Sequence, residues 1–222
     1  MHIEPDALKL STESDVEQKL LMPLLIGSQY LNIPQDCIYT KDYIAPTQLD
    51  KAAGRTTGYF PDYSIWISGF PILIVEAKSP EVDAAVGYRE ASLYARHLNQ
   101  QYPTDLNPAR FILASNGLVV LFGYWDSQPT LEIPIKNLMQ GQASLERLRT
   151  LCNFETLDQH AQETLRAIRV KRSVRPFNIA GDQALLASKE PLNTFAAELS
   201  PILRRYFSSS SQDDNKEIAE RG

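Results

Sequence analysis

Three charged residues lie where the surrounding sequence would predict apolar ones. Asp62, Glu76 and Lys78 occur in GYFPDYSIWISGFPILIVEAKSP, residues 58–80, which has two runs rich in β-forming residues. The second run is almost wholly apolar before its charged end. An ionised side chain that leaves water is costly unless it is paired or bound to a metal. These three charges therefore need compensating partners.

The two runs predict an antiparallel hairpin with strands at about 63–67 and 72–78, joined by a turn at SGFP. Glu76 and Lys78 share one face of the second strand because they are two residues apart. Apolar residues occupy both faces of that strand, which is typical of a central strand covered on both sides. Its charged end is the feature that needs a functional explanation.

The register of this hairpin decides whether the two carboxylates meet. A three-residue loop over 68–70, with Ile67 facing Pro71, sets Asp62 directly opposite Glu76. Opposed side chains on one face have Cβ atoms about 4.5 to 5.5 Å apart. A two-residue loop would instead turn Asp62 away from Glu76. We predict the three-residue loop because it contains a glycine that can supply a positive φ.

Two neighbouring carboxylates repel each other unless a cation lies between them. Mg²⁺ suits such a place because it accepts one or two carboxylates and keeps several waters. A metal-activated water can then attack a phosphodiester, while Lys78 orients that water or neutralises developing negative charge. The alternative is that Glu76 and Lys78 only mark where a buried strand reaches solvent. The preceding Pro-Asp at Asp62 favours the chemical interpretation.

Helices and further strands must position these residues. An amphipathic helix is predicted from Ser11 or Thr12, perturbed at Pro23, and a second helix is predicted with Ser79 as its cap and Pro80 as its first residue. Strands are predicted within residues 36–44, 109–115, 117–125 and 130–135, and helical structure at about 136–172.

The spacing PD, thirteen residues, EAK resembles the PD-(D/E)xK nuclease signature. The stretches DVEQKLLMPLL, ILIVEAK, EASLYA and FILASNG extend this to a resemblance, over about residues 12–125, to the N-terminal nuclease domain of type I restriction enzyme restriction (R) subunits. The resemblance implies an α/β fold, with a restriction-endonuclease-like core, a mixed central β-sheet flanked by helices, and a C-terminal helical extension. We place the core at 1–135, the extension at 136–207 and a disordered tail at 208–222.

The same resemblance implies a Mg²⁺-dependent DNA endonuclease, with Mn²⁺ able to substitute. Asp62 and Glu76 match the metal ligands and Lys78 the catalytic cation. Glu17 matches a first-helix acid that supports the metal in such families. A solvated helix charge is the alternative for Glu17, and its neighbours Glu13 and Gln18 are easily confused with it.

Four further residues are possible substrate contacts. Glu90 and Tyr94 are four apart on the second helix, where related nucleases often have QxxxY, so Glu90 departs from that pattern. Arg55 precedes the aspartate strand and Arg89 lies on the second helix, where each could approach a DNA backbone. Arg96 shares that helix, but a solvated charge is the ordinary interpretation.

Composition limits the partners that the chain can have. The formal net charge of −5 argues against a strong non-specific grip on nucleic acid, and no run reaches the ~18 apolar residues of a membrane span. We therefore expect a cytoplasmic protein. The resemblance implies DNA, and other restriction or defence subunits, as partners, and a homodimer stays open. No GxxxxGK[ST] loop is present, so no ATP site is visible. The alternative function is an inactive DNA-binding or assembly module with the same fold.

Overall fold

A mixed sheet of six strands forms the centre of the molecule. The computed structural model describes residue 3 and residues 8–44, 58–103 and 105–173. The strands lie side by side in chain order, and only β3 and β4 run parallel. They are β1 Ile38–Thr40, β2 Tyr63–Ile67, β3 Phe70–Ala77, β4 Phe111–Ser115, β5 Val119–Tyr124 and β6 Leu131–Pro134. The predicted α/β class with a mixed central sheet is confirmed.

Helices cover both faces of this sheet. Helix α1 comprises α-helical Glu13–Asp15, π-helical Val16–Leu21 and α-helical Met22–Ile26; the later helices are α2 Ala84–Asn99, α3 Ala143–Cys152 and α4 Phe154–Ser173. Helix α2 forms the crossover that joins the parallel strands β3 and β4. No helix among the described residues is long and apolar enough to cross a membrane. The predicted tail at 208–222, and the extension beyond residue 173, lie outside the described residues.

Alternating residues of the strands feed two hydrophobic clusters. Helix α2 packs on one side of the sheet with Ile74, Ile112, Ala114 and Leu121. The other cluster joins α1, α3 and α4 to the opposite side, and it includes Leu20, Leu24, Leu73, Val75, Leu113, Phe122, Leu148 and Leu157. Every residue of β3 is buried, as the sequence predicts for a central strand.

The hairpin turn differs from the predicted three-residue loop. Ser68 and Gly69 form a two-residue turn, both with positive φ, and Ile67 pairs with Phe70 rather than with Pro71. A bulge between Ile65 and Trp66 inserts one extra residue on β3. The bulge restores the register beyond it, so Tyr63 pairs with Val75 and the next position brings Asp62 beside Glu76.

Helix α2 begins later than the sequence predicts. Asp83, rather than Ser79, is its N-cap, and the Asp83 carboxylate accepts a hydrogen bond from the Ala85 backbone N–H at 2.9 Å. Residues 79–82 form a turn closed by the Val82 N–H and the Ser79 carbonyl at 3.0 Å. Pro80 therefore belongs to the turn and not to the helix.

Helix α1 begins with the predicted cap but departs from α-helical geometry in its middle. Thr12 and Asp15 form a capping box, each side chain bonding the backbone of the other. The π-helical segment directly precedes the end that contains Pro23, which has no N–H to donate. At the end of that segment, the N–H of the following residue, Met22, bonds to the carbonyl of Glu17. Glu17 thus lies on a locally widened helix.

Candidate active site

Hydrogen bonds hold Asp62 at the charged end of β3. Its side chain is buried, with the residue only 2% exposed. Oδ2 of Asp62 accepts from the Ala77 backbone N–H at 2.7 Å, and the Asp62 N–H donates to Glu76 Oε2 at 3.4 Å. The structure therefore brings Asp62 and Glu76 together, as the predicted register requires.

A network of ion pairs surrounds Lys78. Its Nζ lies 2.9 Å from Glu76 Oε1 and 2.9 Å from Glu90 Oε2. Burial, followed by the charge of Asp62, raises the pKa of Glu76 to about 8, although Lys78 acts to lower it. Burial alone would lower the pKa of Lys78, but the Glu90 and Glu76 carboxylates outweigh it, so the pKa is raised. Lys78 therefore stays charged, whereas the Glu76 carboxyl is about half protonated at pH 8 and mostly protonated below it.

Gly87 allows helix α2 to approach this network. A Cβ at position 87 would lie 3.2 Å from Lys78 Cγ and 3.5 Å from Glu76 Cγ. Glycine weakens a helix interior by roughly 1 kcal/mol relative to alanine. Its presence here is explained by the close crossing of α2 over the charged end of β3.

A second carboxylate group meets Asp62 from helix α1. Oxygen atoms of Glu13, Glu17 and Asp62 all lie within 4.8 Å of one another. Burial, followed by the charge of Asp62, raises the pKa of Glu17. Three carboxylates are the hard oxygen donors that Mg²⁺ and Mn²⁺ prefer, so this donor set fits a divalent cation. Glu13, which the sequence identifies only as a neighbour of Glu17, belongs to this group.

Lys41 is the site residue that sequence reasoning missed. It follows β1, and its Nζ makes an ion pair with Asp62 Oδ1 and lies 3.4 Å from Glu17 Oε1. Burial alone would lower the pKa of Lys41, but Asp62 and Glu17 outweigh it and raise that pKa. No spacing rule connects a lysine just after the first strand with these acids, and the antiparallel pairing of β1 with β2 brings Lys41 beside Asp62.

Helix α2 presents its other predicted residues on two sides. Tyr94 packs against the ring of Tyr59, with centroids 5.5 Å apart. Burial, followed by the charge of Glu76, raises the pKa of Tyr94 to about 12. Arg89 and Arg96 instead line a groove of about 580 Å³ beside Trp125, on a different side of the helix. The remaining predicted contact, Arg55, lies outside the described residues.

Two exposed aromatic rings lie close in the chain to the site residues Lys41 and Asp62. Tyr43 is 57% exposed and Phe60 52% exposed, and their ring centroids lie 5.3 Å apart. Tyr43 follows Lys41 by two residues and Phe60 precedes Asp62 by two. The chain segments that contain Lys41 and Asp62 therefore each present an apolar ring face that solvent can reach.

These features define an α/β protein with a restriction-endonuclease-like core, whose carboxylates and lysine meet at the end of a buried central strand. Residues 41–128 match the family model described as the type I restriction enzyme R protein N terminus. The match confirms the predicted resemblance and indicates a nuclease-type domain related to restriction enzymes. It includes Asp62, Glu76 and Lys78 but begins after helix α1. Searches of curated proteins and of solved structures gave no match.

Proposed function

We propose that the protein is a Mg²⁺-dependent DNA endonuclease that hydrolyses phosphodiester bonds, with a role in restriction or defence. The observation that carries this proposal is the meeting of Asp62, Glu76 and Lys78 at the charged end of β3. A carboxylate as deeply buried as Glu76 costs stability. Its presence therefore favours a purpose that an apolar residue could not serve. The family match supports the same class of reaction.

Each site residue has a separate role in the proposed reaction. Asp62, Glu76 and Glu17 would hold the cation, which is Mg²⁺ or Mn²⁺. Glu13 lies with Asp62 and Glu17 in one carboxylate group, and Glu76 contacts Asp62 from the other strand of the hairpin. When bound, such a cation supplies Lewis acidity and an activated water. Lys78 stabilises negative charge that develops on the phosphate, or orients the attacking water.

Glu90 acts on the reaction through Lys78. Its carboxylate lies 2.9 Å from the Lys78 ammonium, which is also held by Glu76. Two acids on opposite sides restrict the rotamers of a long side chain that would otherwise be mobile. The glutamate at the position where related nucleases often have glutamine thus has a positioning role in this chain.

DNA and other restriction-enzyme subunits are the partners that the family match supports. Exposed aromatic rings offer faces on which bases of unpaired nucleotides can stack, and the paired rings of Tyr43 and Phe60 are each two residues in the chain from Lys41 and Asp62, respectively. Arg89 and Arg96 would contact phosphates outside the site, from the groove on the other side of α2. These contacts would set the position of the nucleic acid and not its sequence.

The test combines metal binding with cleavage. Calorimetric titration with Mn²⁺ should show that Asp62→Asn weakens binding on the order of tenfold or more. Supercoiled, linear and single-stranded DNA should be cut by the wild type in Mg²⁺ and not by this variant. Asp36→Asn removes an exposed acid outside the group and should behave as the wild type. Metal-independent DNA binding that Asp62→Asn leaves unchanged would instead support the inactive binding module.

A further inference from the structure

Lys41 has no part in the hydrolysis proposed above, yet its ammonium lies within the carboxylate group. It contacts Asp62 Oδ1 and lies 3.4 Å from Glu17 Oε1. The two acids are largely buried, with side chains 3% and 16% exposed, whereas the Lys41 side chain is 51% exposed. The lysine therefore reaches from solvent towards acids that the fold holds in place.

The backbone fixes Lys41 beside Asp62. The Lys41 N–H donates to the Asp62 carbonyl at 3.2 Å, and the preceding residue, Thr40, pairs with Tyr63. Lys41 has a φ of 49°, in the left-handed region that is unfavourable for residues other than glycine, asparagine and aspartate. A lysine kept in this conformation, with its ammonium on two acids, indicates a use for the side chain.

The same carboxylates cannot bind two cations independently. Glu13, Glu17 and Asp62 have oxygens within 4.8 Å of one another, so their negative charges repel unless a cation lies among them. An ammonium supplies one positive charge, and a divalent cation supplies two. Because like charges at this distance also repel, a divalent cation bound by Asp62 and Glu17 must weaken or break the contacts of Lys41.

We propose that Lys41 is a positioning residue, which acts as the counter-ion of Asp62 and Glu17 until a divalent cation replaces it. This inference rests on the proposed function, because it assumes that Asp62 and Glu17 hold the metal. Without metal, the ammonium of Lys41 offsets part of the repulsion between these two acids. It also raises the metal concentration at which the site fills, since the bound cation must displace the ammonium.

Calorimetric titration of the metal-free protein with Mn²⁺ tests this role without an activity measurement. Lys41→Met removes the charge and retains most of the side-chain length. It should bind Mn²⁺ roughly tenfold more tightly than the wild type, while its melting temperature in EDTA falls. Lys41→Arg keeps the charge and should retain the weaker binding of the wild type. Lys19→Met removes a surface lysine that pairs with Asp15, outside the carboxylate group, and should leave Mn²⁺ affinity unchanged.

The outcomes separate this inference from the function on which it rests. In one outcome, Lys41→Met binds Mn²⁺ no more tightly than the wild type while Asp62→Asn still binds it more weakly. That result would overturn the role of Lys41 and leave the metal site intact. A similar gain in Lys19→Met would also overturn it, because the effect would then be one of net charge. Absence of Mn²⁺ binding in both wild type and Lys41→Met would overturn the inference and the proposed metal site together.

Discussion

Glu76 should make the metal-free protein less stable as the pH rises, and Glu76→Gln should remove that dependence. The pKa of Glu76 is raised from the ordinary value of 4.5 to about 8, by burial first and by Asp62 second. A carboxyl with a raised folded-state pKa is protonated in the native state, while the unfolded state has already lost its proton. The free energy of unfolding therefore falls as pH rises between 4.5 and 8, by up to about 1.4 kcal/mol per pH unit.

The magnitude follows from this window and from the partners of the carboxyl group. The ceiling is roughly 5 kcal/mol across the window, and relaxation around the charge reduces it, so we expect a loss of about 2 to 3 kcal/mol. Lys78 offsets only part of the loss because it also pairs with Glu90. Above pH 8 Glu76→Gln should be more stable than the wild type by this amount, and near pH 5 the two should be similar.

Urea unfolding in EDTA at pH 5, 7 and 9, monitored by tryptophan fluorescence, measures the difference. Trp66 and Trp125 are the two tryptophans of the chain. Glu132→Gln, at an exposed position of β6, is the matched control and should show no change of stability with pH beyond that of the wild type. A difference between wild type and Glu76→Gln that stays constant from pH 5 to pH 9 would refute the reasoning. The predicted divergence with rising pH would show that Glu76 is retained at the expense of stability, as expected for a functional residue.

Three other perturbations have expected results. Burial lowers the pKa of His160 below 6.5, so the free energy of unfolding should fall as pH drops below 6.5. In urea unfolding, His160→Gln should reduce this dependence of the free energy on pH. An unchanged dependence would contradict the assignment to His160. Gly87→Ala improves helix propensity by roughly 1 kcal/mol but places a methyl group 3.2 Å from Lys78 Cγ. DNA cleavage should therefore fall while the melting temperature changes little. Cleavage equal to that of the wild type would show that α2 does not cross the end of β3 closely enough to constrain Lys78. Tyr43→Ala and Phe60→Ala should each weaken the binding of a fluorescent single-stranded oligonucleotide in Ca²⁺ by roughly 1 to 3 kcal/mol. The binding of duplex DNA should be less affected. Equal losses of affinity for both substrates would argue against base stacking.

Local pattern predicted the strands of the core because each has a strong and short-range signal. The limits of β2 agree with the predicted 63–67, and the two-sided apolar pattern correctly identified β3 as a buried central strand. Thr12 was one of two predicted caps for α1, and its capping box identifies it as the cap. Such features depend on residues within a few positions of one another, so the sequence alone contains the information.

The hairpin shows how a correct register can come from an incorrect loop. The turn has two residues, and that loop alone would have turned Asp62 away from Glu76. A bulge near Trp66 compensates for the difference. The bulge leaves no distinctive residue signal in the sequence, because Ile72 is as apolar as its neighbours. Its effect is visible in packing, where Ile72 belongs to the cluster that contains Leu73 rather than the one with Ile74.

The parts of the site that sequence missed depend on long-range contacts. Lys41 meets Asp62 because β1 adds to the edge of β2, a pairing 21 residues apart in the chain. Glu17 is predicted from the sequence, whereas Glu13, four residues before it on α1, joins the same carboxylate group only because α1 comes close to Asp62 in the fold. The late start of α2 at Ala84 has a local cause, because an aspartate such as Asp83 caps a helix as well as the predicted Ser79.

Cleavage by a Lys78 variant tests the central claim most directly, because Lys78 is assigned to the chemistry and not to the metal. Lys78→Met retains the side-chain stem beside Gly87 and removes the ammonium. Wild type and variant would be purified in parallel, checked for Mn²⁺ binding at least as tight in the variant, and incubated with supercoiled DNA in Mg²⁺ or EDTA. We predict that the wild type nicks DNA only in Mg²⁺ and that the variant binds the metal without cutting. Cleavage by Lys78→Met at the wild-type rate would contradict the account.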